Sequence, residues 1–201
     1  TLCDYMLVPT EEEVLPRWLE SIPGYGSRGW CRVEYFIFSL AAEMRGREAP
    51  LYVITRDGSL LQYPKVEVTG DGDMPSQGAL SNPNDKALVQ ALEDTMIEAY
   101  GKVIVELKCQ AGAGGRVDLR EKMIRDCHVE ALCEAVNKYE VKMLILTGNL
   151  LGDAGAEAIA AMLRTNRSLT LLSLSNSMIG DAGEKAVRKA VKGRKGFRLY
   201  L

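Results

Sequence analysis

The sequence predicts an α/β protein in which a short solenoid of strand–helix units follows an incomplete α/β segment. Three observations carry this. Three segments align without gaps over twenty residues: VDLREKMIRDCHVEALCEAV (residues 117–136), LILTGNLLGDAGAEAIAAML (144–163) and LSLSNSMIGDAGEKAVRKAV (172–191), at successive offsets of 27 and 28 residues. Within each, a two-residue alternation gives way to helical spacing, the mark of a strand followed by a helix. The amino-terminal part reads in the order strand, helix, helix, strand, which also belongs to the α/β class.

Each aligned segment has the same physics. The pairs Val117/Leu119, Leu144/Leu146 and Leu172/Leu174 alternate, so both members point to one side of a short strand. A turn follows, holding Gly152–Asp153 in the second segment and Gly180–Asp181 in the third. Asp126, Asp153 and Asp181 share one position and are expected to cap the helix they introduce, the carboxylate accepting free N–H groups of its first turn. Apolar residues then fall at i, i+1, i+4 and i+5: Ala131, Leu132, Ala135, Val136; Ala158, Ile159, Met162, Leu163; Ala186, Val187, Ala190, Val191. That is one buried stripe per helix. A single unit cannot close its own core, but stacked units can. Phe197–Leu201 reads as a fourth strand with Phe197, Leu199 and Leu201 on one face.

Residues 117–201 resemble the leucine-rich repeats of the ribonuclease-inhibitor type, with their L-x-L-x-x-N strand, G-D-x-G turn and repeat near 28 residues. The family's asparagine stands at Asn149, while Lys122 and Ser177 replace it in the neighbouring units, and Arg125 and His128 replace the first unit's turn glycines. The resemblance implies a protein-interaction module that holds a protein partner on its strand face. By alternation with the buried pairs, that face comprises Asp118, Arg120, Ile145, Thr147, Ser173 and Ser175.

The middle, residues 70–116, reads as a linker, a helix and a strand leading into the repeats. Gly70–Pro83 is rich in Gly, Asp, Ser and Pro and reads as a loop. Asn84–Tyr100 reads as a helix with Leu88, Ala91, Leu92, Met96 and Ala99 along its apolar side, Val103–Leu107 as a strand and Gln110–Gly115 as a flexible turn. Before it, Leu51–Thr55 and Leu60–Thr69 read as strands around an Arg56–Ser59 turn.

Residues 1–69 form the remaining segment. Leu2–Val8 reads as a strand, Glu11–Ile22 as a helix, Gly24–Gly29 as a turn, and Trp30–Met44 as a helix with a stripe of Val33, Phe36, Ile37 and Leu40. The string SRGWCRVE, residues 27–34, looks like the S-x-W-C-x-x-E motif of Toll/interleukin-1-receptor (TIR)-like domains. The preceding stretch resembles the strand and helix before that motif in protist TIR-like proteins, which often carry leucine-rich repeats downstream. A further strand and loop of the family are missing here, so the segment is truncated. The resemblance implies signal transduction, self-association through this segment and, in the enzymatic members, cleavage of NAD at its nicotinamide ribose. Glu34 matches the catalytic carboxylate of those members. Breaking that bond builds oxocarbenium-like charge, which a carboxylate beside the ribose stabilises. Asp4, near the carboxyl end of a strand, lies on the side where α/β sheets bind ligands. NAD is then a substrate and no cofactor is expected. Against this, an exposed Glu in a first helical turn is favoured by the helix dipole alone, and the non-enzymatic interaction module is the preferred reading.

Composition bounds the remaining classes. The 201 residues allow one large or two small domains, and 47% hydrophobic with 26% charged residues is an ordinary globular balance. A net charge of −2 gives no global call for nucleic acid or an acidic membrane, and no apolar run approaches the roughly 20 residues a spanning helix needs. Five cysteines at irregular spacing make a poor disulfide framework and point to a reducing, cytoplasmic compartment. The opening Thr-Leu-Cys lacks an initiator Met and a cleavable signal, which suggests a fragment. Cys127, His128 and Cys133 occupy ordinary repeat positions without a fourth ligand, so no metal is expected. Arg188, Lys189, Lys192, Arg194, Lys195 and Arg198 form a basic end that reads as a solvated cap.

Overall fold

The computed structural model describes residues 6–9, 29–47, 51–54, 60–63 and 74–201. The chain is of mixed α/β type and divides into two compact units, Thr1–Tyr100 and Gly101–Leu201. Among the described residues no helix is long and apolar enough to cross a membrane.

The first unit holds a three-stranded sheet in the order β1 (Met6–Pro9), β2 (Leu51–Ile54), β3 (Leu60–Tyr63). β1 pairs with β2 in parallel and β2 with β3 antiparallel. The expected helix over residues 11–22, the Gly-rich turn before residue 29 and Asp4 lie outside the described residues. Helix α1 (Gly29–Met44) buries Val33, Phe36 and Leu40 as expected. Ile37, however, is 40% exposed, and Tyr35 is buried in its place. At about 100° per residue, Tyr35 extends the arc of Val33, Phe36 and Leu40 on one side, and Ile37 falls beyond it on the other.

Helix α2 (Asp85–Ala111) corrects two expectations. Residues 103–107 are not a strand but the continuation of this helix. Their β-branched run looks strand-like, yet Ile97, Tyr100, Ile104, Val105 and Cys109 are all buried at helical spacing, and burial overrides local preference. The buried side is also rotated away from the one expected. Leu88 is 54% exposed, Ala91, Leu92 and Ala99 are exposed, Met96 is half-buried, and Val89 and Ile97 lie inside. Within the first unit, buried Glu93 accepts the Ser76 N–H at 3.0 Å and the Gln90 side-chain amide at 3.0 Å. Tyr100 donates its hydroxyl to Glu43 at 2.9 Å.

The second unit is built on a four-stranded, all-parallel sheet in the order β4 (Arg116–Asp118), β5 (Met143–Ile145), β6 (Leu171–Ser173), β7 (Arg198–Tyr200). Helices α3 (Val129–Lys138), α4 (Asp153–Thr165) and α5 (Asp181–Val191) alternate with the strands. Val117, Leu119, Leu144, Leu146, Leu172 and Leu174 are all buried, as the alternation requires. Leu132, Ala135, Val136, Ile159, Met162, Leu163 and Val187 are buried as well, but Ala158 is exposed, because α4 turns Ala156 and Ala160 inward instead. Residues 110–115 end α2 in an ordered turn: Gly114 adopts φ 65° and donates to the Tyr139 carbonyl at 2.8 Å. Gly101 does not stop α2. A Cβ there would overlap the ring of fully buried His128, so its absence is what lets the imidazole seat.

The aspartates act differently from the expectation. Gly152 is the N-cap of α4 and Asp153 its first residue, with no side-chain bond to its own helix. Instead, Asp153 Oδ1 accepts the N–H of Gly180 at 2.8 Å and of Gly183 at 3.0 Å, at the start of α5. Asp126 Oδ1 likewise accepts the Gly152 N–H at 2.8 Å. Each carboxylate thus caps the helix of the following segment. The paired glycines make room for it: a Cβ on Gly183 would lie 2.7 Å from Asp153 Oδ1, and one on Gly155 would overlap Asp126 Oδ1. The first segment has no preceding aspartate to accommodate. There His128 takes the place of the glycine, and its Nδ1 accepts the Arg125 N–H at 2.9 Å.

Candidate functional site

The parallel register lays the outward residues of the four strands in rows. One row runs Arg116, Met143, Leu171, Arg198, and the next runs Asp118, Ile145, Ser173, Tyr200. Beyond the strand ends the backbone keeps the same register, since the Glu121 N–H bonds to the Thr147 carbonyl and that of Gly148 to Ser175. Arg120, Thr147 and Ser175 therefore form a third row by alternation. Of the six residues expected on this face, Asp118, Ile145 and Ser173 stand in the paired strands, and Arg120 and Thr147 bond to Asp118 and Ser173. At about 4.8 Å between strands, the platform is roughly 15 Å wide.

Its chemistry is graded across the sheet. At the β4 edge, Asp118 is clamped by Arg116 and Arg120, each 2.9 Å away. Burial works against the Asp118 charge, but the bonds from Arg120 and Arg116 outweigh it and hold the carboxyl below its ordinary range. In the same way the bond to Asp118 raises Arg120. Ile145 and Thr147 occupy the middle, half-buried. Ser173 departs from the expected exposure: it is 8% exposed, and its hydroxyl is tied to Thr147 Oγ1 at 2.8 Å. A short side chain flanked by Ile145 and Tyr200 in register has little access of its own.

Tyr200, 50% exposed, and Arg198 complete the face at β7 and were missed in reading the sequence. The signal was present. If Phe197, Leu199 and Leu201 share one side of the strand, Arg198 and Tyr200 occupy the other.

Buried Asn149 fixes the loop beside the face. Its Oδ1 accepts the N–H groups of Lys122 at 3.1 Å and Ile124 at 2.9 Å, and its Nδ2 donates to the carbonyls of Leu119 at 2.8 Å and Leu146 at 2.7 Å. Every hydrogen-bonding position of the amide is used. The residues just after the strands, Glu121, Gly148 and Asn176, all take the left-handed conformation, with φ of 56°, 71° and 56°. The three loops thus leave the face with one geometry despite three different residues.

Glu34, the other expected site residue, lies on the exposed side of α1. It is in the second turn of the helix rather than the first, which holds no acidic residue. Cys127 is exposed, Cys133 half-buried and Cys109 buried, and none forms a disulfide. Burial, helped by Glu134, pushes the Cys133 thiol up to about 11, and burial, helped by Glu106, pushes Cys109 up to about 12. Both are protonated near neutral pH and are poor metal ligands in that form. Among the described residues no group of three or more His, Cys, Asp or Glu could hold a metal ion.

No protein-family model matches the chain, and no curated protein matches it.

Proposed function

We propose that residues 117–201 are a leucine-rich-repeat stack of the ribonuclease-inhibitor type whose outward strand face docks a protein partner. The observation that carries this reading is the register: three repeats and a fourth strand bring Asp118, Arg120, Ile145, Thr147 and Tyr200 onto one parallel, rigidly backed platform. Mixed character suits a protein partner. An ion-paired edge supplies direction, a half-buried centre supplies apolar contact, and Tyr is a residue type that anchors interfaces. The platform is smaller than the about 800 Å² per partner of a standard interface. A partner therefore also contacts the loops beyond the strands, where Met178 is 72% exposed. The test is affinity capture from cell extract with the full chain against Arg120→Glu/Tyr200→Glu. Loss of a captured protein in the double variant, with thermal unfolding unchanged, supports the face. Equal capture by both proteins removes it.

A second reading concerns residues 1–69 as a truncated TIR-like segment that cleaves NAD. It rests on the W-C-x-x-E spacing and on the exposure of Glu34 on α1. Nicotinamide release at high protein concentration, abolished by Glu34→Ala, supports it. No release from folded protein removes it.

A further inference from the structure

The outer face of α5 differs from that of α4 at two positions where α4 packs closely on its neighbour. On α4, Ala156 and Ala160 are fully buried, and Ala156 lies where it would meet a Cβ on Gly183 of α5. Two small residues there let the next helix approach closely. At the same positions α5 carries Glu184 and Arg188, joined by an ion pair at 3.2 Å. These side chains are larger and charged where α4 has alanine.

What α5 presents instead is charge. Lys185, Arg188, Lys189 and Lys192 stand at i, i+3, i+4 and i+7 and line one shallow groove, which Asp181 and Glu184 close at the amino end of the helix. Lys185, Lys189 and Lys192 have no ion pair among the described residues. Residues 181–201 hold seven Lys and Arg against two Asp and Glu, while the whole chain has a net charge of −2, so the rest is net negative.

We propose that this groove along α5 docks an acidic segment of another protein. The stripe extends only about 10 Å along the helix axis, at 1.5 Å per residue. It ends in two carboxylates, Asp181 and Glu184, which oppose a longer polyanion. A short run of Glu or Asp side chains fits these limits. A nucleic-acid strand or an anionic membrane would spread its charge beyond them. This surface is separate from the strand face, so one can fail without the other.

The test is fluorescence anisotropy of a labelled octaglutamate peptide with the full chain at low and high salt. The proposal expects binding that weakens with salt. It expects binding about tenfold weaker in Lys185→Glu/Lys189→Glu/Lys192→Glu, the scale of three exposed ion pairs lost together. Lys86→Glu/Lys142→Glu/Arg164→Glu, which changes the net charge equally, and Arg120→Glu/Tyr200→Glu should bind as the parent does. If the first triple variant does not fold, glutamine at all three positions in both triple variants gives the same charge-matched comparison. The proposal is overturned by absent octaglutamate binding or by equal losses in the two triple variants. Tighter binding of oligouridylate or phosphatidylserine vesicles than of octaglutamate through the same lysines would also overturn it.

Discussion

The two junctions inside the second compact unit use the same parts in different proportions. Between the first and second segments, Asn149 makes three hydrogen bonds to the first segment and one within its own, and Asp126 accepts one N–H at the start of α4. Between the second and third, Ser177 stands in the asparagine's place with its buried hydroxyl unpartnered among the described residues, and Asp153 accepts two N–H groups from α5. One junction is held mainly through its loop and the other mainly through its helix start. The two devices satisfy different backbone donors, those of the loop after a strand and those at the start of a helix, and a buried unpaired N–H is costly in either place.

The sharpest way to break this comparison is to remove the loop device at each junction. Asn149→Ala strands the buried Ile124 N–H, the half-buried Lys122 N–H and two carbonyls and should cost about 3 kcal/mol. Ser177→Ala removes a hydroxyl without a partner among the described residues and should stay within about 0.5 kcal/mol. Urea unfolding at unchanged slope checks both. Similar costs for the two would show that the loops are equivalent.

Next come the glycines. Gly155→Ala and Gly183→Ala each drive a methyl group into the aspartate that caps the helix, and each should lower stability by about 1–3 kcal/mol. Ala is ordinarily the better helix former, so a stabilising effect in thermal melts would refute the crowding at these positions.

The aspartates themselves rank below. Asp153→Ala loses two capping bonds and should cost about 1–2 kcal/mol, against about half that for Asp126→Ala with one. Equal costs in the same urea experiment would remove the asymmetry between the junctions.

The smallest effect is the pH dependence of the strand face. The Asp118 carboxyl is held below its ordinary value in the folded protein. Its contribution to stability is therefore complete above the ordinary carboxylate range and is lost as pH falls through the folded value. The drop in melting temperature from about pH 7 to about pH 3 should shrink slightly in Asp118→Asn. An unchanged drop would show that the arginine clamp does not stabilise the fold.

What could be read from the sequence follows a physical division. The L-x-L pairs and the 27- and 28-residue offsets place β4, β5 and β6 and helices α3 to α5, because strand alternation and helical spacing are local properties. The six face residues follow from the same alternation, and so would Tyr200. The capping partners of Asp126 and Asp153 did not follow, since a carboxylate that could reach its own helix reaches the next one only once the segments are stacked. The pairing of Gly101 with His128 did not follow either, since the missing side chain of one makes room for the ring of the other only once α2 packs on the turn before α3. For α2, two apolar stripes compete on one helix, and only packing decides which is buried.

The central claim is that a partner sits on the strand face, and site-specific photocrosslinking tests it most directly. A benzophenone amino acid would replace Tyr200 on the face or, as a control, exposed Glu157 on α4. The account predicts a crosslinked protein from position 200 and none from position 157. Crosslinks from position 157 alone would contradict it and place the partner on the helical side.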